Sequence, residues 1–132
     1  MKRYLLAVFA AGTWMILSEA VRNELVIKQV WVEGFEGVGL TYPSEPLNVM
    51  VWGVWILIFV SLLPLIVTKF NTLTGTVIAW SLGFVLLWSA MWNLGVLPPG
   101  LLYWAVPWSF AEVYVAAWIC RRIFRNSGQP QP

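Results

Sequence analysis

Histidine is missing from this sequence, and cysteine occurs once, as Cys120. A single thiol closes no internal disulfide. Without histidine or a cysteine pair, zinc, haem and iron–sulfur centres lack their usual ligands, so no cofactor and no metal is expected. Charge is scarce as well: Asp, Glu, Lys and Arg make up 11% of the 132 residues, against about 25% in an average soluble domain. The basic residues gather at the ends of apolar runs and form no stripe, which argues against nucleic acid as a partner.

What the chain has instead is apolar surface. Its hydrophobic fraction is 60% and its mean hydropathy +0.75, with ten tryptophans. A soluble fold of this length needs more polar surface than that, whereas a bilayer removes the need and favours Trp at its boundaries. The expected class is an all-α integral membrane protein.

A helix crosses the roughly 30 Å hydrocarbon core with about 20 apolar residues. Three runs qualify readily: residues 47–68, 74–97 and 101–120. The second of these meets Pro98-Pro99-Gly100, which cannot continue a helix, and the third meets Arg121-Arg122. Residues 4–22 form a further candidate with two readings. Lys2-Arg3, the apolar Tyr4–Leu17 run and Ser18-Glu19-Ala20 match the three regions of a cleavable signal peptide. The same stretch also reads as a retained span with a polar outer end, and the retained span is the expectation.

Four spans place Lys2, Arg3, Lys69, Arg121, Arg122 and Arg125 on one side, and only Arg22 and Lys28 on the other, beside Glu24, Glu33, Glu36 and Glu45. The positive-inside rule then sets both termini in the cytoplasm. The expectation is a single transmembrane domain over residues 1–125, a four-helix bundle, N-in and C-in, in a plasma membrane of the bacterial inner-membrane type. Residues 23–46 form a long extracytoplasmic loop in which Gly34, Gly37 and Gly39 break any helix running on to about Glu33. Residues 126–132, polar and Pro-containing, are expected to be disordered.

An ionisable residue inside a membrane helix is a functional-site hypothesis by default. Glu112 lies nine residues before Arg121, roughly 13 Å inside that boundary. A carboxylate at such depth costs about 2.5–3.5 kcal/mol to insert. Ala105, Ser109, Glu112 and Ala116 share one small, polar helix face, so Glu112 is expected to face other helices. Ala79, Gly83, Ala90 and Asn93 make a similar stripe, and Ala7 pairs with Ala11.

Glu19 and Arg22, three apart, form a helix-end ion pair with Arg22 reaching the headgroups, or Arg22 or Asn23 turns inward to meet Asn93, or Glu112 through water. Most tryptophans fall in the outer half, as an aromatic belt or as a pocket in which Trp88, Trp92, Trp104 and Trp108 surround Glu19, Arg22 and Asn93. A lipid, an isoprenoid or an aromatic cation would suit such a pocket.

Three functions follow, in order. First is a non-enzymatic subunit or accessory factor of a membrane complex, whose partners are the bilayer and other membrane subunits or further copies of itself. Second is a small transporter or hydrophobic-ligand binder using Glu112 and the Glu19/Arg22/Trp cluster. About four spans and a membrane carboxylate give a broad similarity to small multidrug-resistance transporters, but the long outer loop and the place of Glu112 in the last helix depart from that pattern. Third is a lipid enzyme. It is the weakest, because no Ser–His, Cys–His or phosphate-binding glycine pattern is present and straight helices separate Glu19 from Glu112 by roughly 11 Å.

Overall fold

A computed structural model of the chain describes residues 1–125, so the tail at 126–132 lies outside the described residues. Five helices follow one another: α1 (Lys2–Val26), α2 (Lys28–Gly37), α3 (Pro46–Val67), α4 (Thr72–Asn93) and α5 (Leu101–Arg125). No strand occurs among the described residues. Helices α1, α3 and α4 are each long and apolar enough to cross a membrane. Helix α5 is as long but less apolar, since it carries Glu112, Pro107, three Trp and two Tyr before its arginines.

Helix ends follow local chemistry. Pro46 starts α3, where a missing N–H is harmless, and the Asn71 side chain caps α4 by accepting from the Thr74 N–H at 2.9 Å. Helix α4 ends at Asn93, before the prolines that the sequence offers as its stop. Gly95 takes φ +72°, and Val96 and Gly95 donate back to the carbonyls of Met91 and Trp92. That left-handed glycine closure satisfies the last carbonyls and leaves Pro98 outside the helix. The connection 23–46 is largely helical: α1 runs on to Val26 and α2 continues through Gly34, until Gly39 closes it in the same way as Gly95 closes α4.

Helices α1 and α5 pack antiparallel, with α3 and α4 completing the core. Ala7, Ala11 and Met15 of α1 and Ala105, Ala116 and Ala117 of α5 are fully or almost fully buried, so small residues let these backbones approach closely. The register is fixed by the Cys120 thiol opposite the Ala7 carbonyl and by Ser18 opposite Glu112. Arg121 therefore sits about one turn, roughly 6 Å, deeper than Arg3 instead of level with it. Its guanidinium donates to the carbonyls of Phe70, at 2.5 Å, and Val67, at 3.5 Å, where α3 ends. The α3–α4 turn and the last turns of α5 thus share one end of the molecule.

Two stretches depart from α-helical winding: Val21–Val26 in α1 and Ser81–Val85 in α4 are π-helical. In α4 the wider turn shifts every later residue around the axis. Ala79 is buried, but Phe84 and Trp88 continue its face, while Ala90 and Asn93 are exposed. A stripe extrapolated at 3.6 residues per turn fails beyond such a turn.

Gly34 of α2 meets Pro98 in the turn between α4 and α5: a Cβ added there would stand 2.6 Å from Pro98 Cγ and 3.0 Å from its Cα. Replacing Gly34 with valine should therefore lift α2 off that turn, at a cost of about 1–3 kcal/mol. Hydrogen exchange should show faster exchange of the α2 amides with α3 and α4 unchanged, and Pro98→Gly in the same chain should restore part of the protection.

Candidate functional site

The first helix carries a regular inward face, Ala7, Ala11, Met15, Ser18 and Arg22, at steps of four, four, three and four residues. This spacing keeps one face of a helix in register over several turns. It brings two polar side chains, Ser18 and Arg22, against α5. Arg22 is 5% exposed and does not reach outward, which corrects the headgroup reading of the Glu19–Arg22 pair. The pair exists, but inside the protein.

Glu112 is 1% exposed. Its Oε2 accepts a hydrogen bond from Ser18 Oγ at 2.6 Å and lies 3.7 Å from Arg22 Nη1. Arg22 Nη2 donates to Glu19 Oε1, and the other oxygen of Glu19 accepts from Asn23 Nδ2 at 2.6 Å. The guanidinium also lies 5.5 Å from the centre of the Phe84 ring. Arg22 and Phe84 belong to the two π-helical stretches, so both irregular turns meet at this cation. Such turns recur at functional sites because they re-aim side chains that a regular helix would point elsewhere.

Four indoles frame the cluster through their N–H groups. Trp14 donates to the Glu112 main-chain carbonyl at 3.0 Å, and Trp108 to Ser18 Oγ at 3.0 Å. Trp80 donates to Ser109 Oγ at 2.9 Å, and Trp31 to Asn23 Oδ1 at 3.0 Å. A half-buried indole N–H needs an acceptor, and each of these four has one. Among the described residues three buried side-chain polar atoms have no hydrogen-bond partner: Arg22 Nε, Arg22 Nη1 and Glu112 Oε1.

The candidates named from the sequence separate into two groups. Glu112, Glu19, Arg22, Asn23, Ser109 and Trp108 come together around the cluster. Trp88 lies one layer away, 8% exposed and against Phe84 and Trp80, while Trp92 at 75%, Trp104 at 59% and Asn93 face outward. Trp14, Ser18, Trp31, Trp80 and Phe84 belong to the site and were not singled out by sequence. Extending the Ala7–Ala11 pair along its own face finds Ser18; nothing local marks the tryptophans as donors to these particular atoms.

A groove of about 500 Å³ runs beside the cluster between α1 and α5. Trp14, Leu17 and Val21 of α1 face Trp108, Ala111 and Val115 of α5 across it, and its only polar lining comes from Ser18 and Glu112. It shares Trp108 alone with the four-tryptophan pocket expected from the sequence. Outside this region, past the end of α1, Lys28 donates to Glu24 at 2.5 Å, and that hydrogen bond raises the ammonium above its ordinary pKa.

Fold and site together define a chain that is helical, without strands, over its described residues, with three helices fit to cross a membrane and a polar cluster held between helices. No family model matches it, and comparison with the curated proteins and the solved structures finds none similar to it.

Proposed function

We propose that the chain is a four-span membrane protein, with α1, α3, α4 and α5 as the spans and both ends cytoplasmic, that acts as a non-enzymatic subunit or accessory factor of a membrane complex. The observation that carries this reading is Glu112. Its carboxylate is buried and bonded to a side chain of another helix, so its first role is to tie α5 to α1. Because the charge lies inside, the lower apolarity of α5 presents no exposed carboxylate to lipid. The orientation rests on Lys2, Arg3, Lys69 and the α5 arginines, with Arg121 at the same end as the α3–α4 turn.

Gly53 supports an external partner. It lies two turns into α3 on an exposed face beside Val49, Met50 and Leu57, and among the described residues nothing outside its own stretch of helix lies within 4 Å of where its Cβ would be. Glycine there weakens an isolated helix by about 0.5–1 kcal/mol relative to alanine, and in a membrane it lets a second helix approach closely. Extraction of the tagged chain in a mild detergent, followed by sizing and mass spectrometry, should recover other membrane proteins at fixed ratio. Gly53→Leu should leave the chain folded and remove at least one of them. A chain that always migrates alone, or only with copies of itself, would defeat the proposal.

A further inference from the structure

We propose that the groove between α1 and α5 is a binding site for a single-chain lipophilic amine, with the ammonium group held at Glu112 and the hydrocarbon chain between Trp14 and Trp108. The inference takes the membrane placement from the proposed function but not the external partner. Three observations meet here. The groove, at about 500 Å³, falls within the roughly 300–1,000 Å³ of ordinary small-molecule sites and is lined by apolar side chains except at Ser18 and Glu112.

Charge supplies the second. The cluster holds two acidic side chains, Glu19 and Glu112, against one guanidinium, Arg22, so one acid has no cation of its own. The two oxygens of Glu19 are both occupied, by Arg22 and Asn23. The acid without its own cation is therefore Glu112, which also has the unpartnered oxygen, Oε1. An ammonium offers both the charge and the N–H donor that this oxygen lacks, whereas an alcohol offers only the donor and a fatty acid brings a second negative charge.

The walls are the third. The N–H groups of Trp14 and Trp108 are fixed to the Glu112 carbonyl and to Ser18, which holds both indoles at the polar end of the groove. Among aromatic rings, indole attracts cations most strongly. Leu17 and Ala111 are exposed along the groove, so a chain dissolved in the bilayer can enter from the side. One hydrocarbon chain suits a cleft of this size better than the two chains and large headgroup of a membrane phospholipid.

The test uses the full chain in nanodiscs of uncharged phosphatidylcholine and tritiated dodecylamine as the probe, counted above empty nanodiscs. Saturable binding near one per chain is expected, with unlabelled dodecylamine competing at least ten times better than dodecanol or dodecanoate. Glu112→Gln should weaken binding tenfold or more. Ala111→Phe, at an exposed position, should block the groove without disturbing the core, and Cys120 protection from a maleimide dye reports whether each variant is folded. Linear uptake equal to that of empty nanodiscs would overturn the site. So would equal competition by dodecanol, or folded Ala111→Phe with undiminished binding. Purified chain suffices for every arm, so failure to find a membrane partner leaves this result unaffected.

Discussion

Arg22→Met should destabilise the protein by about 3–5 kcal/mol, lowering its unfolding temperature by roughly 10 °C or more. Among the described residues Arg22 is the one cation that meets the two acids of the cluster: it pairs with Glu19 and lies 3.7 Å from Glu112. Removing it leaves two acids among apolar side chains without a counter-charge, and the Phe84 ring loses the guanidinium against it. Glu112→Gln is a milder change, on the order of 1 kcal/mol, because Arg22 keeps Glu19 and a carboxamide still accepts from Ser18. Combining the two should give a protein more stable than Arg22→Met alone, since the second change removes one of the stranded charges. Cys120 provides the measurement. It is the single cysteine and is fully buried, so a maleimide dye that fluoresces on reaction follows unfolding as the protein in mild detergent is heated. An Arg22→Met protein that melts with the wild type would show that the cluster is not a tie between helices.

The apolar runs and their ends are legible in the sequence because they depend on local composition. Pro46 and Val67 bound α3 within a residue of the expected 47–68. The face of Glu112 is legible too: Ala105, Ser109 and Ala116 share its inward side and all are buried. Depth and partner are not. Arg3 and Arg121 look like matching boundary residues, yet Arg121 caps the end of α3 and lies a turn deeper, which brings Glu112 level with Ser18 and within reach of Arg22. Helix stagger depends on how two small-residue faces fit, and a single helix carries no record of it. The Ala79–Asn93 stripe fails for a different reason. The π-helical turn at Ser81–Val85 changes the angular spacing midway, so Phe84 and Trp88 take the inner face. Pro98, which reads in the sequence only as a helix stop, also packs on Gly34 in three dimensions.

A chain beginning after Ala20 should fail to accumulate, reaching about a tenth of the full-length level or less. The segment Tyr4–Ala20 has the form of a signal peptide, but its side chains are built into the interior. Ala7, Ala11 and Met15 are completely buried, a Cβ added at Gly12 would stand 3.5 Å from Val60 Cγ2, and Tyr4 donates to the Ser61 carbonyl at 2.5 Å. Ser18 and Trp14 supply two hydrogen bonds at Glu112, and Glu19 is the closest partner of Arg22. Cleavage after Ala20 would strip all of these from α3 and α5 and leave Arg22 with Glu112 as its single acid. Intact mass of the purified protein should therefore include residues 1–20; a mass starting at Val21 would overturn the retained span. Loss of targeting would also lower accumulation, so a second arm separates the causes. Co-expressing residues 1–27 as a separate helix, with the remainder inserted behind an unrelated cleavable signal, should restore much of the folded, dye-protected protein, because membrane helices associate through the same packing and hydrogen bonds whether or not they are covalently joined. Rescue by the wild-type helix but not by one carrying Ser18→Leu and Arg22→Met would place the requirement in the polar face of α1, not in its export signal.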